Sequence, residues 1–231
     1  MKYKIIICAG NSRSGSTKQY NFVKQLLEEN NIEFKDYGYQ DEIPQGIVSR
    51  KNDGQVAIIK CHNPIMEEHK DICYLNIIRC SAGVRSSLIR FSRSSEKRVT
   101  EILREDFEKT RQMLNQTNTL VQKFASCDEK MIEELADYLE IPVVSPKLIK
   151  SVDFSISKRI LKKMLKYNLN KLLPKTLRRK IKLLIKQYDS DTLLHPNHIR
   201  KNEYTDLRSQ PEICSLCLIE GTCNEYFNSD K

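Results

Sequence analysis

No run of apolar residues in this 231-residue chain approaches the roughly 18 to 20 needed to span a bilayer. A helical membrane span is thereby excluded, and the N-terminus opens on a strand signal instead of a signal-peptide h-region. The expectation is a soluble, unsecreted, cytoplasmic protein. A pair of Cys-x-x-Cys knuckles is also missing, so the eight cysteines do not spell a structural zinc module. Cys8, Cys61, Cys73 and Cys80 fall in or beside apolar strand segments, where a reduced thiol acts as a small buried hydrophobe. Cys214, Cys217 and Cys223, with His195 and His198 upstream, could supply zinc ligands in an irregular spacing, but they read as a cysteine-rich C-terminal helix, and no metal is expected. Internal repeats and low-complexity tracts are missing as well, which leaves one domain over residues 1–231.

Acidic residues are lacking in one place. From Ser155 to Tyr188 there are 12 Lys and Arg and no Asp or Glu, so the rest of the chain, with 27 basic and 30 acidic residues, carries −3 of the overall +9. Within that segment Ile156, Ile160, Leu161, Met164, Leu165, Leu169, Leu172 and Leu173 keep helical spacing, and after Pro174 the pattern resumes at Leu177, Ile181, Leu184 and Ile185. Residues 155–188 are therefore expected to form a basic amphipathic helical insertion. Its charge suits a peripheral membrane surface or another anionic partner, or serves only solubility. No specific nucleic acid is expected.

What is present is a strand and helix alternation. Strand signals run over Lys4–Cys8, Phe34–Tyr39, Val56–Lys60, Tyr74–Arg79 and Thr119–Phe124. Helical signals run over Ser16–Glu29, Val84–Arg93, Lys97–Leu114 and Glu129–Leu139. Such alternation implies an α/β fold with a P-loop-type parallel sheet flanked by helices. Ligands of these sheets bind beyond the carboxyl ends of the strands, where Gly10–Thr17, Lys60–His62 and Arg79–Ser87 are expected to converge.

Two of these segments, IIICAGNSRSGST (5–17) and NIIRCSAGVRSSLIR (76–90), each read as a buried strand, a small-residue turn and the start of a helix. That arrangement offers free backbone amides and a favourable dipole to a phosphate. In the first loop Ser16 stands where a nucleoside triphosphatase needs its lysine, and neither Val56–Lys60 nor Tyr74–Arg79 ends in an acidic residue to help hold magnesium. The loop thus suits an anion without a metal. Both segments also echo the cysteine phosphatase loop, but only four residues separate Cys8 from Arg13 and Cys80 from Arg85, one fewer than that cradle has. A thiol of low pKa would mark such a nucleophile.

NSRSGST, IIKCHNP (58–64) and RCSAGVRSSL, in this order, resemble the P-loop sulfotransferases, which move a sulfuryl group from 3′-phosphoadenosine 5′-phosphosulfate to an acceptor hydroxyl or amine. The resemblance implies that Arg13, Ser14, Gly15, Ser16 and Thr17 grip the 5′-phosphosulfate, with Arg13 nearest the bridging oxygen. It implies that Arg79 and Ser87, eight residues apart, bind the 3′-phosphate. Lys60-Cys61-His62 reproduces the family's Lys-x-His, in which the lysine is a cation and the histidine accepts the hydroxyl proton. With a pKa near 6.5, His62 could do so at neutral pH. Cys80, Ser81, Ala82 and Gly83 replace the family's usual Asp-Pro-Arg-Asp, which implies a looser turn.

Beyond residue 90 the likeness is looser: DEKMIEELADYLEIPV (128–143) is similar to a family helix, and HPNHIRKNEYTDLRS (195–209) to a late loop whose Arg200 and Lys201 would reach the 3′-phosphate. The resemblance implies a hydroxyl-bearing acceptor, such as a carbohydrate, lipid or small alcohol. Lys162, Lys163, Arg178 and Arg179 of the basic segment are then placed to hold an acidic glycan or lipid headgroup. The alternatives from other classes are a degenerate P-loop protein that binds an anionic partner through that segment, and a cysteine phosphatase-like hydrolase.

Overall fold

The protein is described from a computed structural model over residues 1–43, 47, 54–62, 69–92, 95–114, 118–124 and 128–142. The basic segment 155–188, Arg200, Lys201 and the Cys214 cluster lie outside the described residues, as does the expectation of a helical insertion. Everything described belongs to one compact unit of the chain.

The described elements follow the order β1 (Ile5–Ala9), α1 (Ser16–Glu29), β2 (Phe34–Gln40), β3 (Val56–Cys61), β4 (Ile72–Ile78), α2 (Ser81–Ser92), α3 (Glu96–Leu114), β5 (Thr119–Lys123) and α4 (Asp128–Leu139). The five strands form one parallel sheet in the order β2-β3-β1-β4-β5. β1, β3 and β4 are buried at every position, as expected of the centre of a parallel sheet covered on both faces. One face carries Ile5, Ile7, Ala57, Ile59, Ile72 and Tyr74, and the alternate residues Ile6, Ile58, Leu75 and Ile77 are buried on the other.

Helix α1 lies against β1, β3 and β4, and its Tyr20, Phe22, Val23, Leu26 and Leu27 are buried at the helical interval. α2 and α3 pack through Val84, Leu88, Val99, Leu103 and Phe107. The edge strand β2 is half exposed and irregular, with a register shift between Asp36 and Tyr39. Its tie to α1 is polar: Lys24 Nζ, on a buried side chain, meets the Asp36 carboxylate at 2.7 Å, and the Tyr20 hydroxyl bonds the same carboxylate.

Only two boundaries of the described elements differ from the sequence expectation by more than one residue. β4 starts at Ile72, not Tyr74, because Ile72 and Cys73 already pair with Ile5 and Ile6. α2 starts at Ser81, not Val84: the Val84 amide donates to the Cys80 carbonyl at 3.1 Å, so the small residues read as a turn close the first helical turn. No described helix is long and apolar enough to cross a membrane.

The strand order positions the site. From β1 the chain travels outward to β2, returns through β3 beside β1, and crosses to β4 on the opposite side. The carboxyl ends of β1, β3 and β4 therefore stand side by side at the point where the winding reverses, the usual ligand crevice of such sheets.

Candidate active site

The segment joining β1 to α1 turns within six residues. Gly10 and Gly15 have φ of 112° and 109°, and Arg13, which has a Cβ, is held at 68°. A non-glycine residue there costs about 1–2 kcal/mol and persists where its surroundings impose it. The Ser14 amide donates to the Asn11 carbonyl at 3.1 Å, closing the turn. At Gly15 a Cβ would lie 2.5 Å from Cδ2 of Phe124, so the ring occupies the space that glycine leaves.

Helix α1 begins with no side-chain cap at Gly15 and no acidic residue in its first turn. The positive end of its dipole is left for an external anion. Ser16 and Thr17 are buried in that turn, and the buried Ser14 hydroxyl oxygen has no hydrogen-bond partner. An orphaned hydroxyl beside an uncapped helix start fits a ligand that brings its own oxygens.

The segment that follows β4 meets the β1–α1 loop directly. Arg13 Nε donates to Ser87 Oγ at 2.9 Å, and Arg79 donates through one guanidinium nitrogen to the Arg13 carbonyl at 3.2 Å. The Arg79 guanidinium also lies over the Phe124 ring, 4.5 Å from its centroid. Arg13, Arg79 and Ser87, taken from segments more than 60 residues apart, thus form one cluster.

Lys60 and His62 stand at the end of β3 against the same loop. His62 Nδ1 lies 2.8 Å from the Gly10 carbonyl oxygen, so that nitrogen carries the hydrogen and Nε2 presents the lone pair. Lys60 Nζ, 3.3 Å away, donates to Nε2. Burial first, then the charges of Lys60 and Arg13, push the His62 pKa from the usual 6.5 down to about 4, against an opposing pull from the Gly10 carbonyl. This revises the sequence premise of an unperturbed histidine: His62 is neutral at pH 7, but its basic nitrogen is engaged by an ammonium group. Burial, with Arg13 adding to it, also brings Lys60 down to about 8. The Tyr39 ring, 45% exposed, flanks both, with centroid distances of 5.6 Å to the His62 ring and 5.2 Å to Lys60 Nζ.

The Cys8 thiol is unlike a nucleophile. Cys8 is fully buried within β1, and burial pushes its pKa far up, so a thiolate is not available to a phosphatase reaction. Cys80 is buried and accepts from the Gly83 amide at 3.3 Å. No group of three or more potential metal ligands occurs among the described residues.

Phe124, Asn11, Asp106 and Thr110 join the site although no expectation from the sequence named them individually. Phe124 had a faint signal, lying just past β5 as Arg79 lies just past β4, with Ile78 paired to Lys123. The Asp106 carboxylate accepts from the Ser12 amide at 3.3 Å, and the Thr110 hydroxyl bonds the Asn11 side-chain oxygen. Both lie on α3, more than 90 residues from their partners, and nothing in the local sequence marks them.

No family model and no curated protein matches the sequence. Among solved structures the chain is similar to a crystal structure of retinol dehydratase in a complex with retinol and PAP, at 15% identity and a TM-score of 0.48 over 66% of this chain and 64% of that one. It is similar to mouse sulfotransferase SULT7A1 complexed with PAP, at 14% identity and a TM-score of 0.43 over 64% and 62%. A third is retinol dehydratase in complex with androsterone and inactive cofactor PAP, at 14% identity and a TM-score of 0.47 over 65% and 63%. The chain spans less than two thirds of the length of each.

Proposed function

We propose that the protein is a sulfotransferase that transfers a sulfuryl group from 3′-phosphoadenosine 5′-phosphosulfate to an acceptor hydroxyl. The observation that carries this reading is the junction of the two phosphate segments, Arg79 on Arg13 and Arg13 on Ser87, beside the Lys60–His62 pair. A donor with phosphates at both ends of its ribose needs two anion sites held at a fixed separation. A base and a cation must then adjoin the one that bears the sulfuryl group.

In this reading Arg13, Ser14, Gly15, Ser16 and Thr17 receive the 5′-phosphosulfate through side chains, amides and the dipole of α1. Arg79 and Ser87 receive the 3′-phosphate. Arg200 and Lys201 are assigned to the same phosphate by the sequence resemblance. In the transfer, the acceptor oxygen bonds to sulfur as the sulfur–oxygen bond to the 5′-phosphate breaks, and adenosine 3′,5′-bisphosphate leaves. Little covalent work falls to the protein, so alignment and charge neutralisation dominate, as in phosphoryl transfer. Arg13 and Lys60 neutralise the leaving phosphate.

His62 takes the acceptor proton at Nε2, its imidazole held in the required tautomer by the Gly10 carbonyl. In the free protein Lys60 covers that nitrogen. An anion beside Arg13 and Lys60 offsets the charges that depress His62 and gives the ammonium group a stronger partner, so the base gains strength where the donor sits. No step requires a metal.

The test is calorimetric titration of the purified protein with adenosine 3′,5′-bisphosphate, with AMP and ATP as controls at the same salt. Selective binding that Arg79→Ala or Ser87→Ala abolishes is expected. Equal binding of all three nucleotides, or none, overturns the assignment. A steeply salt-dependent affinity for anionic polymers without nucleotide selectivity would favour the noncatalytic binding protein instead.

A further inference from the structure

Helix α3 touches both phosphate segments. Its Val99, Leu103 and Phe107 pack against Val84 and Leu88 of α2, the helix that carries Ser87. One residue before Phe107, Asp106 turns toward the β1–α1 loop and accepts from the Ser12 amide at 3.3 Å. One turn further on, the buried Thr110 hydroxyl bonds the Asn11 side-chain oxygen and approaches the Asp106 carbonyl oxygen at 2.9 Å. Residues four apart share a helix face, so these two side chains act on consecutive loop residues from one side.

A carboxylate beside an anion cradle is unfavourable by charge alone, so its presence calls for a compensating role. Ser12 supplies one, because both its amide and its hydroxyl hydrogen-bond the carboxyl of Asp106. The charge of Asp106 is tempered by its surroundings, since burial holds its pKa up while these bonds pull it down.

We propose that Asp106 and Thr110 are positioning residues for the phosphate loop, fixing Asn11 and Ser12 from α3 so that the chain turns at Arg13 and presents Ser14 and the α1 amides to the donor. The proposal rests on the sulfotransferase reading for the identity of the ligand, but not for the bracket itself. Arg13 follows Ser12 directly and holds φ at 68°, which the loop sustains only while the preceding residues are held. The bracket also ties the two phosphate sites together, because the helix that grips the first loop is packed on the helix that presents Ser87.

The test has two readouts. In amide hydrogen exchange, Asp106→Ala should speed exchange at Ser12 and Ser14 by about tenfold or more, as expected when a charge-assisted hydrogen bond is lost. In calorimetry with adenosine 3′,5′-bisphosphate, Asp106→Ala should weaken binding about tenfold, since the ligand must then order roughly one more residue of backbone. Asp106→Asn keeps an acceptor oxygen and removes the charge, so it should restore slow exchange and bind the bisphosphate at least as tightly as the unaltered protein.

Thr110→Val keeps the volume and should loosen Asn11 in the same way, which covers the case in which Asp106→Ala fails to fold. Unchanged exchange in both the Asp106→Ala and Thr110→Val proteins overturns the bracket, as does failure of Asp106→Asn to restore it. If the unaltered protein does not bind the bisphosphate, the donor assignment falls while the exchange data still decide the bracket.

Discussion

Replacing Gly15 by alanine should damage both the stability and the binding site of this protein, through two costs that can be separated. The first is backbone: φ at this position is 109°, a conformation that costs an L-residue with a Cβ about 1–2 kcal/mol. The second is steric. The new methyl group would lie 2.5 and 2.8 Å from two Phe124 ring carbons and 3.3 Å from Ile77 Cδ1, whereas carbon contacts are comfortable at about 3.5–4.0 Å.

The ring must therefore move by about 1 Å, an overpacking cost of about 1–3 kcal/mol. It is not free to swing with its backbone, because the Phe124 amide donates to the Ile78 carbonyl at 2.8 Å. Together these give about 2–5 kcal/mol, or a fall in Tm of about 4–20 °C at about 2–4 °C per kcal/mol for a chain of this size. Phe124 also supports the Arg79 guanidinium, so affinity for adenosine 3′,5′-bisphosphate should fall with it.

Thermal unfolding of Gly15→Ala, Phe124→Ala and the double variant separates the two costs. Removing the ring abolishes the clash and leaves the backbone strain, so the double variant should be more stable than the sum of the single effects by about 1–3 kcal/mol. A Gly15→Ala protein melting within about 2 °C of the original, or strictly additive effects, would refute the argument.

The His62 imidazole, followed by NMR, should titrate near pH 4 in the free protein, and Lys60→Gln should raise that value. Because the folded pKa lies below the unfolded 6.5, the stabilising contribution is fully present above pH 6.5 and is lost as pH falls toward 4. Its full size is about 3 kcal/mol before solvent screening, and His62→Gln should flatten that part of the stability profile. Native Cys8 should resist alkylation at pH 8 and react after unfolding; rapid native modification would revive the thiol chemistry. Charge reversal at Lys162, Lys163, Arg178 and Arg179 should raise the acceptor KM while leaving bisphosphate affinity unchanged, and an unchanged KM would make that segment a passive surface.

Much of the fold is legible in the sequence because its central strands are apolar runs broken only by Lys60 and Asn76. IIICA, VAIIKC and ICYLNII have no polar face to offer water, so they belong in the middle of a sheet. The position of α1 is equally plain, since Ser16 follows a glycine and the apolar residues then keep a helical interval. Strand order is another matter. Nothing in β1 says that β3 and β4 flank it, because that depends on which pairings let every helix cover a face.

The site divides in the same way. Arg13, Lys60, His62, Arg79 and Ser87 are visible as segments that follow strands, and the structure brings them together. The depressed His62 and the Asp106–Ser12 bond are not visible, since each arises from burial and from partners that the fold supplies.

The central place of β1 bears on how the chain is made. Ile5–Ala9 leaves the ribosome before both of its neighbours, Val56–Cys61 and Ile72–Ile78. At about 5–20 residues per second, the innermost strand waits about 3–10 s with both edges unpaired, until β3 emerges. During that interval it is an apolar ribbon open to other nascent chains, and parallel pairing cannot shorten the wait because it has no local hairpin to begin from. Slower translation across residues 10–55 would prolong this vulnerable state, whereas a chaperone that shields Ile5–Ala9 until β4 emerges would raise the yield of folded protein.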